Sequence, residues 1–240
     1  MDHQGYTLKD IVGILFLIII FALIPLGVYL ISKQTVFFSK ADVNITPAKV
    51  KVTNISENSL TITWLTEGKP ASGFVSFGNT PELGNSLFDD RDRDARVSRF
   101  THHVTLKNLD PQTKYYFKIG SSGALFDNNG LPFEAATAPL SNTALPLLKS
   151  IGGKAAKQDG SILDEGIVYL TTDDGYAMSA VVRGDNWSIV LSKARTVDLL
   201  GYKELEEVSD IKLMLQTGQS GSAIKTVNLN SDPKEFNLSL

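Results

Sequence analysis

Leu60-Thr61-Ile62-Thr63-Trp64-Leu65-Thr66 shows a regular alternation of apolar and polar residues in this 240-residue chain. Its apolar residues Leu60, Ile62 and Trp64 alternate with Thr61 and Thr63. Successive side chains of a strand point to opposite faces of a sheet, so the alternation places three apolar side chains together. The stretch therefore predicts a β-strand that covers a hydrophobic core.

The same alternation recurs on both sides of this strand. Apolar side chains share a face in the runs 48–55, 72–78, 100–106, 115–119 and 133–138, and a short irregular run lies near 83–88. With the first stretch, these runs make seven strands at the spacing typical of a β-sandwich. Helical periodicity is absent from them. Residues 45–138 are therefore predicted to form one immunoglobulin-like sandwich.

A second set of alternating runs follows a proline-containing segment. Residues 139–148 read PLSNTALPLL and are predicted to form a short, semi-stiff linker. Alternation resumes at 168–170, 176–183, 187–191, 211–215 and 224–229, and 236–240 form a candidate last strand. The sequence pattern of residues 196–208 is ambiguous and is compatible with a helical turn. Residues 149–240 are thus predicted to form a second sandwich, and the fold class outside the N-terminal segment is all-β.

The N-terminal segment contains one long apolar run, Ile11–Ser32, which reads IVGILFLIIIFALIPLGVYLIS. A helix of about 21 residues spans roughly 30 Å, the thickness of a bilayer's hydrocarbon core. The run predicts a transmembrane helix over 11–32, between a short head (1–10) and a polar stalk (33–44). The predicted partner of residues 11–32 is the lipid bilayer. Lysines are nearly balanced on the two sides, and we expect the head inside and the C-terminal domains on the extracellular side.

Composition excludes several classes of function. The formal net charge is −3, so the chain lacks the basic field that nucleic-acid binding requires. There is no cysteine, which excludes disulfides and thiolate metal sites. A surface protein without disulfides favours a bacterial or archaeal source over an animal one.

A family resemblance rests on Trp64 and on the run Leu109-Asp-Pro111-Gln-Thr113-Lys-Tyr115. Both resemble fibronectin type III domains. The resemblance implies structural roles for Leu109, Pro111 and Tyr115, with the tyrosine hydroxyl bonding back to the turn backbone as a tyrosine corner. Among such domains, the predicted sandwich 45–138 is similar to the N-terminal domain of purple acid phosphatases.

The motifs that carry this closer similarity are spread over four strands. They are Thr63-Trp64-Leu65-Thr66, Val75-Ser76-Phe77-Gly78, His102-His103-Val104-Thr105-Leu106 and Lys114-Tyr115-Tyr116-Phe117-Lys118-Ile119-Gly120.

The resemblance does not imply catalysis. Phosphatase chemistry in that family belongs to a separate metal-binding domain, and this chain has only three histidines. His102 and His103 are adjacent on a strand and point to opposite faces, so a shared metal site is not expected. The alternation places His102 on the core face of the strand and His103 on the solvent face. We expect no enzyme activity, no catalytic or metal-binding residues and no cofactor.

The acidic run Asp89-Asp90-Arg91-Asp92-Arg93-Asp94 suggests calcium at first sight. Asp90, Asp92 and Asp94 have the spacing that opens an EF-hand loop, but Ala95 and Thr101 stand where that loop needs Gly and Glu. The run is therefore interpreted as a solvated loop with local ion pairs.

The second half resembles carboxypeptidase regulatory-like or transthyretin-like sandwiches. The matching residues are Ile151-Gly152-Gly153-Lys154 leading to Asp159-Gly160, then Glu165 to Leu170, then Asn186 to Leu191. The resemblance implies a non-catalytic spacer or binding module.

These observations predict a membrane-anchored cell-surface protein whose sandwiches bind a partner, as in adhesion, or act as spacers. The partner would be an extracellular protein or a polysaccharide. Gly5-Tyr6-Thr7-Leu8-Lys9-Asp10 before an apolar helix also resembles a type IV prepilin processing site, which implies a pilin-like subunit. A third hypothesis is an accessory subunit of a surface hydrolase.

Overall fold

The computed structural model describes residues 43–147, 149–163, 165–205, 210–219, 221–229 and 236–240, without the side chain of Val43. The predicted head (1–10) and transmembrane helix (11–32) lie outside the described residues, as does the stalk apart from its last two residues. Within the described ranges, no helix has the length and apolarity needed to cross a membrane.

The first sandwich contains eight strands in two sheets. They are β1 (Pro47–Thr53), β2 (Ser59–Thr66), β3 (Gly73–Gly78), β4 (Asn85–Phe88), β5 (Thr101–Lys107), β6 (Lys114–Ser121), β7 (Ala124–Phe126) and β8 (Phe133–Ala136). One sheet has the order β1-β2-β5, and the other has β4-β3-β6-β7 with β8 also paired to β6. Each predicted strand is present. β7 was not predicted, because three residues are too few to show alternation.

The core of this sandwich lies between the two sheets, where the alternation predicted it. Leu60, Ile62 and Trp64 are fully buried on β2 and pack with Val104 and Phe117. The Trp64 indole stacks on the His102 ring, with the two ring centroids 4.7 Å apart.

The second sandwich contains seven strands. They are β9 (Ser150–Ala156), β10 (Ile167–Thr171), β11 (Met178–Val181), β12 (Asn186–Val190), β13 (Asp210–Gln216), β14 (Ser222–Asn228) and β15 (Leu238–Ser239). Its sheets have the orders β11-β10-β13-β14 and β12-β9-β15, and β15 runs parallel to β9. The all-β class and the sandwich-like sheets are confirmed. A 3-10 helix occupies Leu191–Lys193. It precedes the segment 196–208, whose sequence pattern is compatible with a helical turn.

The two sandwiches pack against each other, sheet on sheet. Thr53, Thr61 and Thr63 lie on the face of the β1-β2-β5 sheet that points away from its own core, and all three are fully buried. Strand β10 of the second sandwich contacts β5 there. Residues 41–240 accordingly group as one compact unit. The β1-β2-β5 sheet is covered on both faces.

Candidate binding site at the junction of the two sandwiches

Ser179 of β11 lies at the centre of the junction. Its hydroxyl is 2.7 Å from the Thr53 hydroxyl and 3.0 Å from Nε2 of His103. Its backbone N–H donates to Oδ1 of Asn54 at 2.9 Å, and Nδ2 of Asn54 donates to its carbonyl at 3.0 Å. One small side chain of the second sandwich thus satisfies polar groups from two strands of the first.

Tyr169 of β10 makes a second buried contact with the first sandwich. Its hydroxyl donates to Oγ1 of Thr63 at 2.9 Å, and the Lys51 ammonium lies 4.1 Å from its ring centroid. Burial raises the pKa of Tyr169 to about 12, although the bond to Thr63 acts the other way. Tyr169 therefore stays neutral at physiological pH and acts as a hydrogen-bond donor.

The margins of the junction are also close-fitting. The Glu165 carboxylate accepts the backbone N–H of Phe100 at 3.0 Å, and Nη2 of Arg183 donates to the Asp90 carbonyl at 3.1 Å. A Cβ on Gly218 would lie 1.9 Å from Cβ of Phe100, so only glycine fits at that position. The contact is too close to admit a larger side chain without movement.

Arg195 forms the charged contact of the junction. Its guanidinium is almost fully buried, and Nη2 donates to Oε2 of Glu57 at 2.6 Å. The same guanidinium stacks over the ring of Tyr202, 4.2 Å from the centroid. A buried cation requires a partner, and Glu57 of the first sandwich supplies it.

The two adjacent histidines have separate surroundings. His102 lies in the core against Trp64, as its position in the alternation predicted. The expectation that His103 faces solvent is wrong, because the second sandwich covers that face. His103 is 6% exposed, and its Nδ1 lies 2.7 Å from Oδ2 of Asp90. No group of three metal-ligating side chains comes together in the part of the chain that the structure describes.

The acidic run contains the predicted local ion pairs, but its description as solvated is wrong for Asp89. That carboxylate is buried and accepts from Nε of Arg91 at 2.7 Å and from Nη2 at 2.8 Å. Burial raises the pKa of Asp89, but the hydrogen bonds and charge of Arg91 outweigh it and hold the pKa well below its usual range.

The next two carboxylates of the run are also paired. Asp90 accepts from the Thr105 hydroxyl at 2.6 Å in addition to its contact with His103. Asp92 pairs with Arg99 at 2.5 Å. These carboxylates already have protein partners, which does not fit a calcium loop.

The turn that carries the sequence resemblance has the geometry of a tyrosine corner. The hydroxyl of Tyr115 accepts the backbone N–H of Asp110 at 2.9 Å. Leu109 is buried in the core beside it, and the Pro111 carbonyl accepts from the Thr113 hydroxyl at 2.9 Å. The turn is therefore fixed from both its apolar and its polar sides.

A cleft of about 640 Å³ opens beside the junction. The turn 54–59 and the end of β5 form one wall, and β11, β12, Lys193 and Tyr202 form the other. Leu145 of the linker borders it. A cavity of this size is typical of small-ligand sites.

Comparison with known proteins finds a match for the first sandwich. Residues 46–133 match the family model described as the N-terminal domain of purple acid phosphatase. The resemblance of this sandwich to that fibronectin type III-like domain is thereby confirmed. Among curated proteins, none matches the sequence. The carboxypeptidase regulatory-like resemblance of the second sandwich stays a prediction.

Several solved structures are similar to the chain. A two-domain fibronectin type III segment of chicken tenascin has 14% identity over 76% of this chain and 98% of its own, with a TM-score of 0.30. The yellow lupin purple acid phosphatase PPD1 has 19% identity over 47% and 22%, with a TM-score of 0.26. The structure of PhoD has 13% identity over 45% and 21%, with a TM-score of 0.30. The matched part of this chain thus covers about a fifth of the last two proteins.

Proposed function

We propose that this chain is a membrane-anchored cell-surface protein whose two packed sandwiches present a binding cleft on the extracellular side. Fibronectin type III-like sandwiches are non-catalytic binding or spacer modules. The packing of the sandwiches through Ser179, Tyr169 and Arg195 carries the proposal. A simple flexible spacer needs no such junction, whereas a cleft with walls from two domains requires it.

The cleft and the first described residues lie at opposite ends of the first sandwich. The backbone N–H of Lys69 donates to the Asn44 carbonyl at 2.8 Å, so the first described residues lie at the end of β2. The cleft lies at the start of β2, near Ser59. An eight-residue strand is roughly 25 Å long.

Membrane anchoring is tested on intact cells with a C-terminally tagged chain. We expect the protein in the membrane fraction, resistant to alkaline carbonate, with its tag removed by external protease. Leu17→Arg with Ile20→Arg should release it, because each charge at a helix centre costs about 3 kcal/mol of insertion free energy. A soluble mature chain that starts near Asp42, or a tag protected from external protease, would contradict the proposal.

N-terminal sequencing of the same material separates the proposal from the pilin-like hypothesis. We expect the head to be intact. Cleavage after Gly5, together with polymers that depend on it, would favour the pilin-like subunit. Co-purification of a stoichiometric hydrolase would favour the accessory-subunit hypothesis.

A further inference from the structure

The charges that border the cleft do not balance. The Glu57 carboxylate is paired with Arg195. Lys107 borders one wall and Lys193 the other, and both side chains are exposed. Neither lysine forms an ion pair with an acidic side chain of the described ranges. Two lysines without an acidic partner therefore border the cleft on opposite walls, although the chain as a whole is acidic.

Between these lysines the walls are rich in hydroxyl and amide groups. Asn58 and Asn108 lie on the first-sandwich wall and Ser188 on the other, and all three are exposed. Groups of this kind both donate and accept hydrogen bonds. They match a ligand that carries many hydroxyls.

The remaining surface of the cleft is apolar and aromatic. Met178 and Ile189 border it and are themselves buried in the second core. The half-buried ring of Tyr202 also borders it and is braced by the Arg195 guanidinium. A braced aromatic ring offers a flat surface to the C–H face of a sugar.

We infer that the cleft binds an oligosaccharide that carries carboxylate groups, such as a uronic acid oligomer. The carboxylates would contact Lys107 and Lys193, the sugar hydroxyls would bond to the wall residues, and one sugar ring would lie on Tyr202. This inference rests on the proposed function, since it names the class of partner for the same cleft. A nucleic acid does not fit, because the chain has a net charge of −3 and lacks the basic field that a run of phosphates requires.

The test is calorimetric titration of the full-length protein in a non-ionic detergent with hexagalacturonate. The fully methyl-esterified hexamer is the matched ligand, since it keeps the rings and lacks the charges. We expect the acid form to bind and the ester to bind at least about tenfold more weakly, since hydrogen bonds to charged groups are of that strength. Binding of the acid should weaken as salt is raised.

Variants locate the site. Lys107→Gln with Lys193→Gln should reduce affinity at least about tenfold. Lys157→Gln with Lys212→Gln removes the same charge from exposed positions outside the cleft and should change affinity less than about twofold. Tyr202→Leu should weaken the acid and the ester alike. Each variant is used only if its thermal melt matches that of the parent.

Three results would overturn the inference: no binding of the acid, equal binding of acid and ester, or equal losses in the two lysine pairs. If the hexamer does not bind, a peptide or protein whose binding is weakened by Lys107→Gln with Lys193→Gln would assign the cleft to that class instead. None of these results bears on membrane anchoring, which the fractionation experiment decides independently.

Discussion

Replacing Asp89 with asparagine should destabilise the first sandwich strongly, although the residue lies in a run that looks like a polar loop. The Asp89 carboxylate is 1% exposed, and the Arg91 side chain is 8% exposed. Asp89 accepts two bonds from the Arg91 guanidinium and one from the His103 backbone N–H at 3.1 Å. Asparagine would leave the guanidinium buried without a counter-charge.

The expected loss is about 3–5 kcal/mol of unfolding free energy, the range for removing one partner of a buried ion pair. The pH dependence has a definite sign. Because the folded pKa of Asp89 is depressed, its contribution is complete above the unfolded pKa of about 3.9 and is lost as pH falls further. Below about pH 4 the protonation of Asp89 should lower the unfolding free energy of the parent by about 1.4 kcal/mol per pH unit. Asp89→Asn should lack this part of the pH dependence.

The measurement is urea unfolding of the full-length protein in a non-ionic detergent at pH 7 and pH 3. Tryptophan fluorescence reports both cores, because Trp64 lies in the first and Trp187 in the second. Asp94→Asn is the control, since Asp94 is exposed on the same loop and should change stability by less than about 0.5 kcal/mol. Equal effects of the two substitutions, or an unchanged acid slope in Asp89→Asn, would show that the carboxylate does not hold this buried pair.

Two further predictions concern the first core and the junction. Trp64→Ala should cost about 3–5 kcal/mol, as for other buried aromatics, and Tyr115→Phe about 0.5–1.5 kcal/mol, because one hydroxyl bond is lost. Denaturant melts in which Tyr115→Phe is the more damaging change would contradict the corner. Ser179→Ala should leave Thr53 and His103 short of a partner, cost about 1–3 kcal/mol and broaden or split a single unfolding transition. Ser161→Ala is its control, since Ser161 is exposed and its backbone bonds to Asp159 and Lys157 of its own loop. An unchanged transition in Ser179→Ala would mean that the Ser179 hydroxyl does not couple the unfolding of the two sandwiches.

The sequence predicted what depends on alternation and on local turns. Most strands of both sandwiches, the burial of Trp64 and the residues of the Tyr115 turn follow from short stretches of chain, because a period of two and a proline turn are local properties. β7 and β9 were not predicted, since three residues are too few to show alternation and β9 contains two adjacent glycines. The junction could not be predicted in the same way. Alternation assigns Thr63 and His103 to the non-core face, but it does not say whether that face meets solvent or another domain.

Some sequence signals pointed to the junction without being specific. Thr61 and Thr63 are β-branched, and such residues suit covered strands as well as exposed ones. Tyr169 stands between Val168 and Leu170 in a run that is apolar throughout, which is typical of a strand buried on both faces. The ion pair of Arg195 with Glu57 joins residues 138 positions apart, and no local pattern reports such a pair.

The linker between the sandwiches is exposed along most of its length, with Leu140 at 68% and Leu147 at 92% exposure. Proteases cleave preferentially at such sites. Because the junction is formed by side chains on β2, β5, β10 and β11, it does not depend on the covalent bond between the halves. A chain nicked at 140–147 would therefore stay together as a non-covalent pair, visible as two fragments only after denaturation.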